Sequence, residues 1–197
     1  MSVTVDQSQP ELLRGIGKDG IEYVIRPFEW SLDRALGYYE RFAAFGLISD
    51  HVPKNMQGFI RTMVGSFSLW FEMVRTDSGE NVGFIYLTDM CPSLTEKRYL
   101  SATIHAVTWD SKASPRLDLA KRFLVNLFRM FKFHRLQMVI PCNRGGAIRM
   151  AKRLGFKDEG VMRSSVSYKG IWFNTLLLSL LEGEVENGSR SAEATNP

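Results

Sequence analysis

The run from Asn143 to Gly170 constrains this chain more tightly than any other stretch. Asn143-Arg144-Gly145-Gly146-Ala147 opens a short helix in which Ala147, Met150, Ala151 and Leu154 recur three or four apart. That spacing lines one face of a helix, while Arg149, Lys152 and Arg153 occupy the other. Gly155 then ends it, because only glycine takes a left-handed cap without steric cost. Phe156 to Arg163 and the turn at Tyr168-Lys169-Gly170 read as a hairpin. The segment is thus strand end, helix, glycine stop and hairpin.

The elements before it alternate between the two periods. Ile21 to Arg26 predicts a first strand closed by Pro27, and Ser31 an N-cap for a helix to about Phe45. A second helix is expected from Lys54 to about Val64. Ser68 to Arg75 and Val82 to Leu87 are β-rich runs joined by Asp77-Ser78-Gly79-Glu80-Asn81, a hairpin signal. The aromatic cluster of Phe67, Trp70 and Phe71 belongs to the core side of that hairpin. Leu100 to Trp109 predicts a further strand, and Ser114-Pro115 the start of a long amphipathic helix running to Phe131. Leu136 to Ile140 is a short apolar strand of the centrally buried kind, and Ile171 to Leu181 a last long one. The leading 1–20 and trailing 184–197 segments are polar and expected to be loose around one domain over 21–183.

Here the residues resemble a family. An Asn-led helix, Leu154-Gly155-Phe156, Glu159-Gly160, Arg163 and Tyr168-Lys169-Gly170 are similar to the C-terminal half of GNAT-superfamily N-acetyltransferases, especially the ribosomal-protein N-acetyltransferase-like branch. The resemblance covers about Ile21 to Glu182. It implies an α/β (α+β) fold: a central mixed, mostly antiparallel sheet flanked by about four helices. Its fourth and fifth predicted strands, Leu100–Trp109 and Leu136–Ile140, would be splayed parallel neighbours. It further implies acetyl-coenzyme A as co-substrate and a primary amine as acceptor, on a protein N-terminus or a small molecule. In such a fold the pantetheine arm replaces strand pairing along Ala106, Val107 and Trp109. The pyrophosphate would lie on Ser111, Lys112, Ala113, Ser114, Arg116 and Leu117, since first-turn amides carry partial positive charge and lack partners.

One departure from the family pattern stands in that loop. The window Trp109-Asp110-Ser111-Lys112-Ala113-Ser114 has no glycine, and Pro115 removes an amide donor. Lys112 and Arg116 can supply charge instead, or simply belong to a solvated face. The same departure supports a second expectation, a GNAT-fold interaction or assembly protein that has lost coenzyme binding.

Amine attack on a thioester needs a group to take the amine's proton. His105, on the fourth predicted strand, titrates near working pH and is the candidate base; a histidine packed for structure is the other reading. Tyr168 is the candidate acid, or a packing aromatic of the hairpin. Asn143 either contacts the coenzyme arm or caps the helix behind it. A tyrosine found in some family members a little beyond that Asn is replaced by Met150 and Ala151. Glu72 and Asp89, near ends of adjacent strands, either line an amine pocket or are exposed strand-end acids of the common kind.

Composition excludes several other classes. The 25 Lys and Arg against 21 Asp and Glu leave only +4, too little to indicate nucleic acid or an anionic membrane. Basicity is concentrated between Lys112 and Arg135, where seven Lys and Arg face Asp118 alone, but no RNA or DNA motif accompanies it. His51, His105 and His134 are scattered, and Cys91 and Cys142 are far apart, so no metal-ligand spacing exists. Two lone cysteines fit a reducing compartment, and no apolar run suffices to span a bilayer. The expectation is a soluble cytoplasmic protein, with assembly as a homodimer or something larger left open.

Overall fold

The computed structural model describes residues 13–17, 19–44, 55–64, 68–109 and 117–185. In chain order these form β1 (Leu13–Ile16), β2 (Glu22–Pro27), α1 (Leu32–Ala44), α2 (Met56–Val64), β3 (Leu69–Arg75), β4 (Asn81–Pro92) and β5 (Tyr99–Thr108). They continue with α3 (Leu117–Phe131), β6 (Arg135–Pro141), α4 (Gly145–Arg153), β7 (Lys157–Tyr168) and β8 (Ile171–Leu181). The strands make one sheet in the order β1-β2-β3-β4-β5-β6-β8-β7. Each neighbouring pair is antiparallel except β5 and β6, which are parallel and joined through α3, as a parallel pair requires a crossover. Among the described residues this is the expected mixed sheet, flanked by four helices.

The two faces of the sheet follow from period-two alternation. Phe71, Met73, Leu87, Ala102, Ile104, Leu136, Leu178 and Leu180 point one way and pack with Leu119, Phe123, Leu124, Leu127 and Phe128 of α3. Trp70 and Phe84 point the other way, onto Ala35, Tyr38 and Phe42 of α1 and Phe59 and Met63 of α2. Helices therefore cover both faces.

Local chemistry sets the element ends where it was expected to. The Ser31 hydroxyl accepts from the Arg34 amide at 3.3 Å and caps α1. After α4, Gly155 has φ +102°, its amide donates to the Lys152 carbonyl at 3.0 Å, and the Phe156 amide donates to the Ala151 carbonyl at 3.1 Å. Those two bonds form a Schellman cap, and Phe156 and Ala151 are both buried beside it.

One expectation is corrected at the N-terminal end. Within the segment expected to be loose, Leu13–Ile16 forms β1, paired with β2 from Leu13↔Ile25 to Ile16↔Glu22, and Leu13 is buried. β6 also differs from a fully buried strand: Leu136 is fully buried, but Val139 is 38% exposed. The reason lies in its neighbour on one side.

Candidate active site

β5 and β6 pair only over Ser101↔Arg135, Ala102↔Leu136 and Thr103↔Gln137. β5 nevertheless continues to Thr108 and β6 to Pro141. Beyond Thr103 the sheet therefore holds an interior strand edge with no partner strand among the described residues. The Trp109 amide donates to the Val82 carbonyl on β4 at 3.2 Å, so by alternation Val107 and His105 also turn their backbone groups to β4. Ala106 and Thr108 turn theirs into the gap, and both side chains are exposed.

This geometry sorts the residues expected to hold a coenzyme arm. Ala106 presents its backbone to the gap. Val107 and Trp109 present theirs to β4 instead, and the Trp109 indole donates to the Asn81 carbonyl at 2.8 Å. Ser111, Lys112, Ala113, Ser114 and Arg116 lie outside the described residues, as does Phe67; Leu117 is half-buried at the start of α3. The unpaired edge suits an amide-bearing arm, which can bond an open strand edge as another strand would.

His105 sits on the α1–α2 face of β5, directly opposite Tyr86 of β4, which lies opposite Trp70 of β3. The three rings stack in a row. Trp70 and Tyr86 are 4.3 Å apart at 8°, and Tyr86 and His105 are 4.5 Å apart at 7°. Burial pushes the Tyr86 phenol up to about 12. Burial also holds the His105 imidazole below its ordinary value, with the charge of Asp89 opposing the shift. The ring is therefore neutral at pH 7 and able to accept a proton. Its Nε2 lies 2.9 Å from the Thr88 hydroxyl.

Glu72 is not the free amine-pocket acid its position suggested. It is 1% exposed, ion-paired to Arg26 Nε at 2.7 Å and to the Arg34 guanidinium, and it accepts from the Tyr38 hydroxyl at 3.2 Å. Burial pushes its carboxyl up, but the bonds from Arg34 and Arg26 outweigh that and hold it below the ordinary carboxylate value. It ties β2 and β3 to α1. Asp89, by contrast, is exposed and has φ +52°.

Tyr168 and Asn143 are not brought to His105 by any bond or ring contact of the described residues. Ser179 stands level with Thr103 across β6, and Tyr168 pairs with Ile171 eight residues further up β8. His105 is two residues above Thr103, so Tyr168 lies about 20 Å of strand beyond it, at the hairpin tip under Lys169. Asn143 is exposed and does not cap α4; Arg144 occupies the N-cap position, with no side-chain bond. A cavity of about 420 Å³ between Arg98, Phe128 and Glu182 lies at the opposite end of β5 and belongs to neither feature. Among the described residues no cluster of metal-ligating side chains occurs, and no helix is long and apolar enough to cross a membrane.

Tyr86 and Thr88 carry no sequence signal that ties them to His105. Both sit on the same face of β4 as His105 does on β5, but that is visible only once the pairing Tyr86↔His105 is known.

No protein-family model matches the chain, and no curated protein matches it. Solved structures do. Mutant forms of the spermidine/spermine N-acetyltransferase SpeG from Vibrio cholerae superpose with a TM-score of 0.67 at 13% identity, covering 85% of this chain and 98% of that one. The spermidine N-acetyltransferase from Vibrio cholerae in complex with CoA and spermine gives 0.66 at 11% identity over 84% and 98%. Mycobacterium smegmatis RimJ in complex with CoA-disulfide gives 0.65 at 16% identity over 94% and 98%. At such identities the likeness speaks for architecture alone, and the architecture of this chain is the GNAT fold.

Proposed function

We propose that this chain is an N-acetyltransferase that moves an acetyl group from acetyl-coenzyme A to a primary amine, on a protein N-terminus or a small molecule. One observation carries the reading: a strand edge open at Ala106 and Thr108 on the same strand as a neutral, half-buried imidazole. The thioester supplies the acyl carbon and a thiol leaving group. The backbone of Ala106 and Thr108 would hold the arm, and amides aimed into the gap can also stabilise an oxyanion. His105 faces the other side of the sheet, toward α1 and α2, where it takes the proton that the acceptor's ammonium must lose before the free amine attacks. Structural neighbours that carry CoA-disulfide in one case, and CoA with spermine in another, support the pairing of coenzyme A and amine.

The glycine-free window at 109–114 favours a second reading, a GNAT-fold interaction or assembly component without coenzyme binding. Calorimetric titration of the full chain with acetyl-coenzyme A separates the two. Saturable binding is expected, weakened by about 1 to 3 kcal/mol when Lys112→Ala is combined with Arg116→Ala, with the loss shrinking at high salt. Absence of heat at millimolar ligand would leave only the second reading.

A further inference from the structure

β4 leaves register with β5 after Thr88↔Thr103, pairs one residue out of step at Cys91↔Ser101 and regains register at Pro92↔Tyr99, so a bulge takes in Asp89 and Met90. Asp89 takes φ +52° there, a left-handed conformation that a side chain with a Cβ rarely adopts. Bulges re-aim side chains, and this one directs the Asp89 carboxylate back along β4: the Thr88 hydroxyl donates to its Oδ2 at 3.1 Å. The same hydroxyl lies 2.9 Å from His105 Nε2.

The three groups form an oriented chain. A hydroxyl has one proton; given to a carboxylate, which only accepts, it leaves the oxygen free only to accept from the ring. Nε2 must then carry hydrogen, and the lone pair of the neutral imidazole is on Nδ1, which bonds to none of the described residues. We propose that Thr88 and Asp89 are positioning residues that fix His105 in the Nε2–H tautomer and leave Nδ1 as its proton acceptor. Among the described residues no other charge acts on the ring: Tyr86 stacks on it, Gln137 of β6 donates to Thr103, and Glu72 of β3 is held by Arg26 and Arg34. When Nδ1 takes a proton from the acceptor's ammonium, Nε2 keeps its own, and nothing moves along the chain. The imidazolium so formed gains a stronger bond to Thr88 and the nearby negative charge of Asp89. The catalytic half of this inference rests on the transferase reading; the tautomer does not.

Nitrogen-15 NMR of the full chain above pH 7, without ligand, reads the tautomer directly, with His105→Gln identifying the signal. Hydrogen on Nε2 is expected in the wild type, a mixture in Thr88→Val, and recovery in Thr88→Ser. In steady-state assays with acetyl-coenzyme A and an amine acceptor, Thr88→Val should lower kcat about tenfold at unchanged KM for the thioester, and Thr88→Ser should restore it. Hydrogen on Nδ1 in the wild type, or a tautomer indifferent to Thr88→Val, overturns the proposal whether or not the protein turns over. A shifted tautomer with unaltered kcat overturns the positioning role.

Discussion

Two ionisable side chains on the same side of the sheet, the half-buried His105 and the buried Glu72, answer to pH in different windows. His105 is held below the ordinary imidazole value of 6.5 by burial, so the folded state resists its protonation. If it is the base, turnover is flat with respect to this group above pH 7 and falls on an acid limb beginning below 6.5. A pH profile of kcat should lose that limb in His105→Ala, together with roughly a hundredfold of rate. Glu72 is depressed below its ordinary 4.5, so its stabilisation is complete above that pH and is lost as pH falls through the folded value. Replacing it with Gln strands Arg26 and Arg34, which are 40% and 30% exposed and so recover part of their solvation. Chemical denaturation at pH 7 should show a loss of about 2 to 3 kcal/mol, narrowing below pH 4. A loss that is the same at both pH values would mean that the carboxylate is not charged in the fold.

At the level of elements, the stop after α4 is the sharpest junction. A Cβ at Gly155 would meet Leu180 Cδ1 at 3.5 Å, an ordinary contact, so the position demands glycine for its φ and not for space. Gly155→Val should therefore cost about 1 kcal/mol or more, and an unchanged melting temperature would place Gly155 outside the left-handed region. This junction was readable because every bond of the cap falls between residues 150 and 156. The same locality made α1 and the strand periodicities readable. β1 was not, since four residues with one buried side chain leave no periodic signal, and its pairing with β2 and its packing on α3 supply the order. The partners of Glu72 were equally invisible, because Arg34 lies 38 residues earlier in the chain and meets it only across the α1–sheet interface. The Asp89–Thr88–His105 chain needs both a register and a bulge, neither of which leaves a mark in composition.

For the molecule as a whole, the open edge inside the sheet is what most needs holding in place. An unpaired edge ordinarily invites another strand, and at the rim of a sheet it would be a liability. Here β5 is fixed by β4 from Thr88↔Thr103 to Gly83↔Thr108, β6 is fixed by β8 from Arg135↔Leu181 to Pro141↔Thr175, and α3 packs over the sheet beside them. The strands are therefore held from outside and cannot close without breaking one of those ladders. Amide hydrogen exchange reads this residue by residue. In the free protein, Ala106 and Thr108 should exchange orders of magnitude faster than His105, Val107 and Trp109, whose amides face β4. Saturating acetyl-coenzyme A should slow Ala106 and Thr108 selectively, since an arm lying in the gap would accept from the donors the missing strand leaves open. Slow exchange at Ala106 and Thr108 without ligand would show that the edge is already satisfied, and unaltered exchange with ligand bound would place the arm elsewhere on the protein.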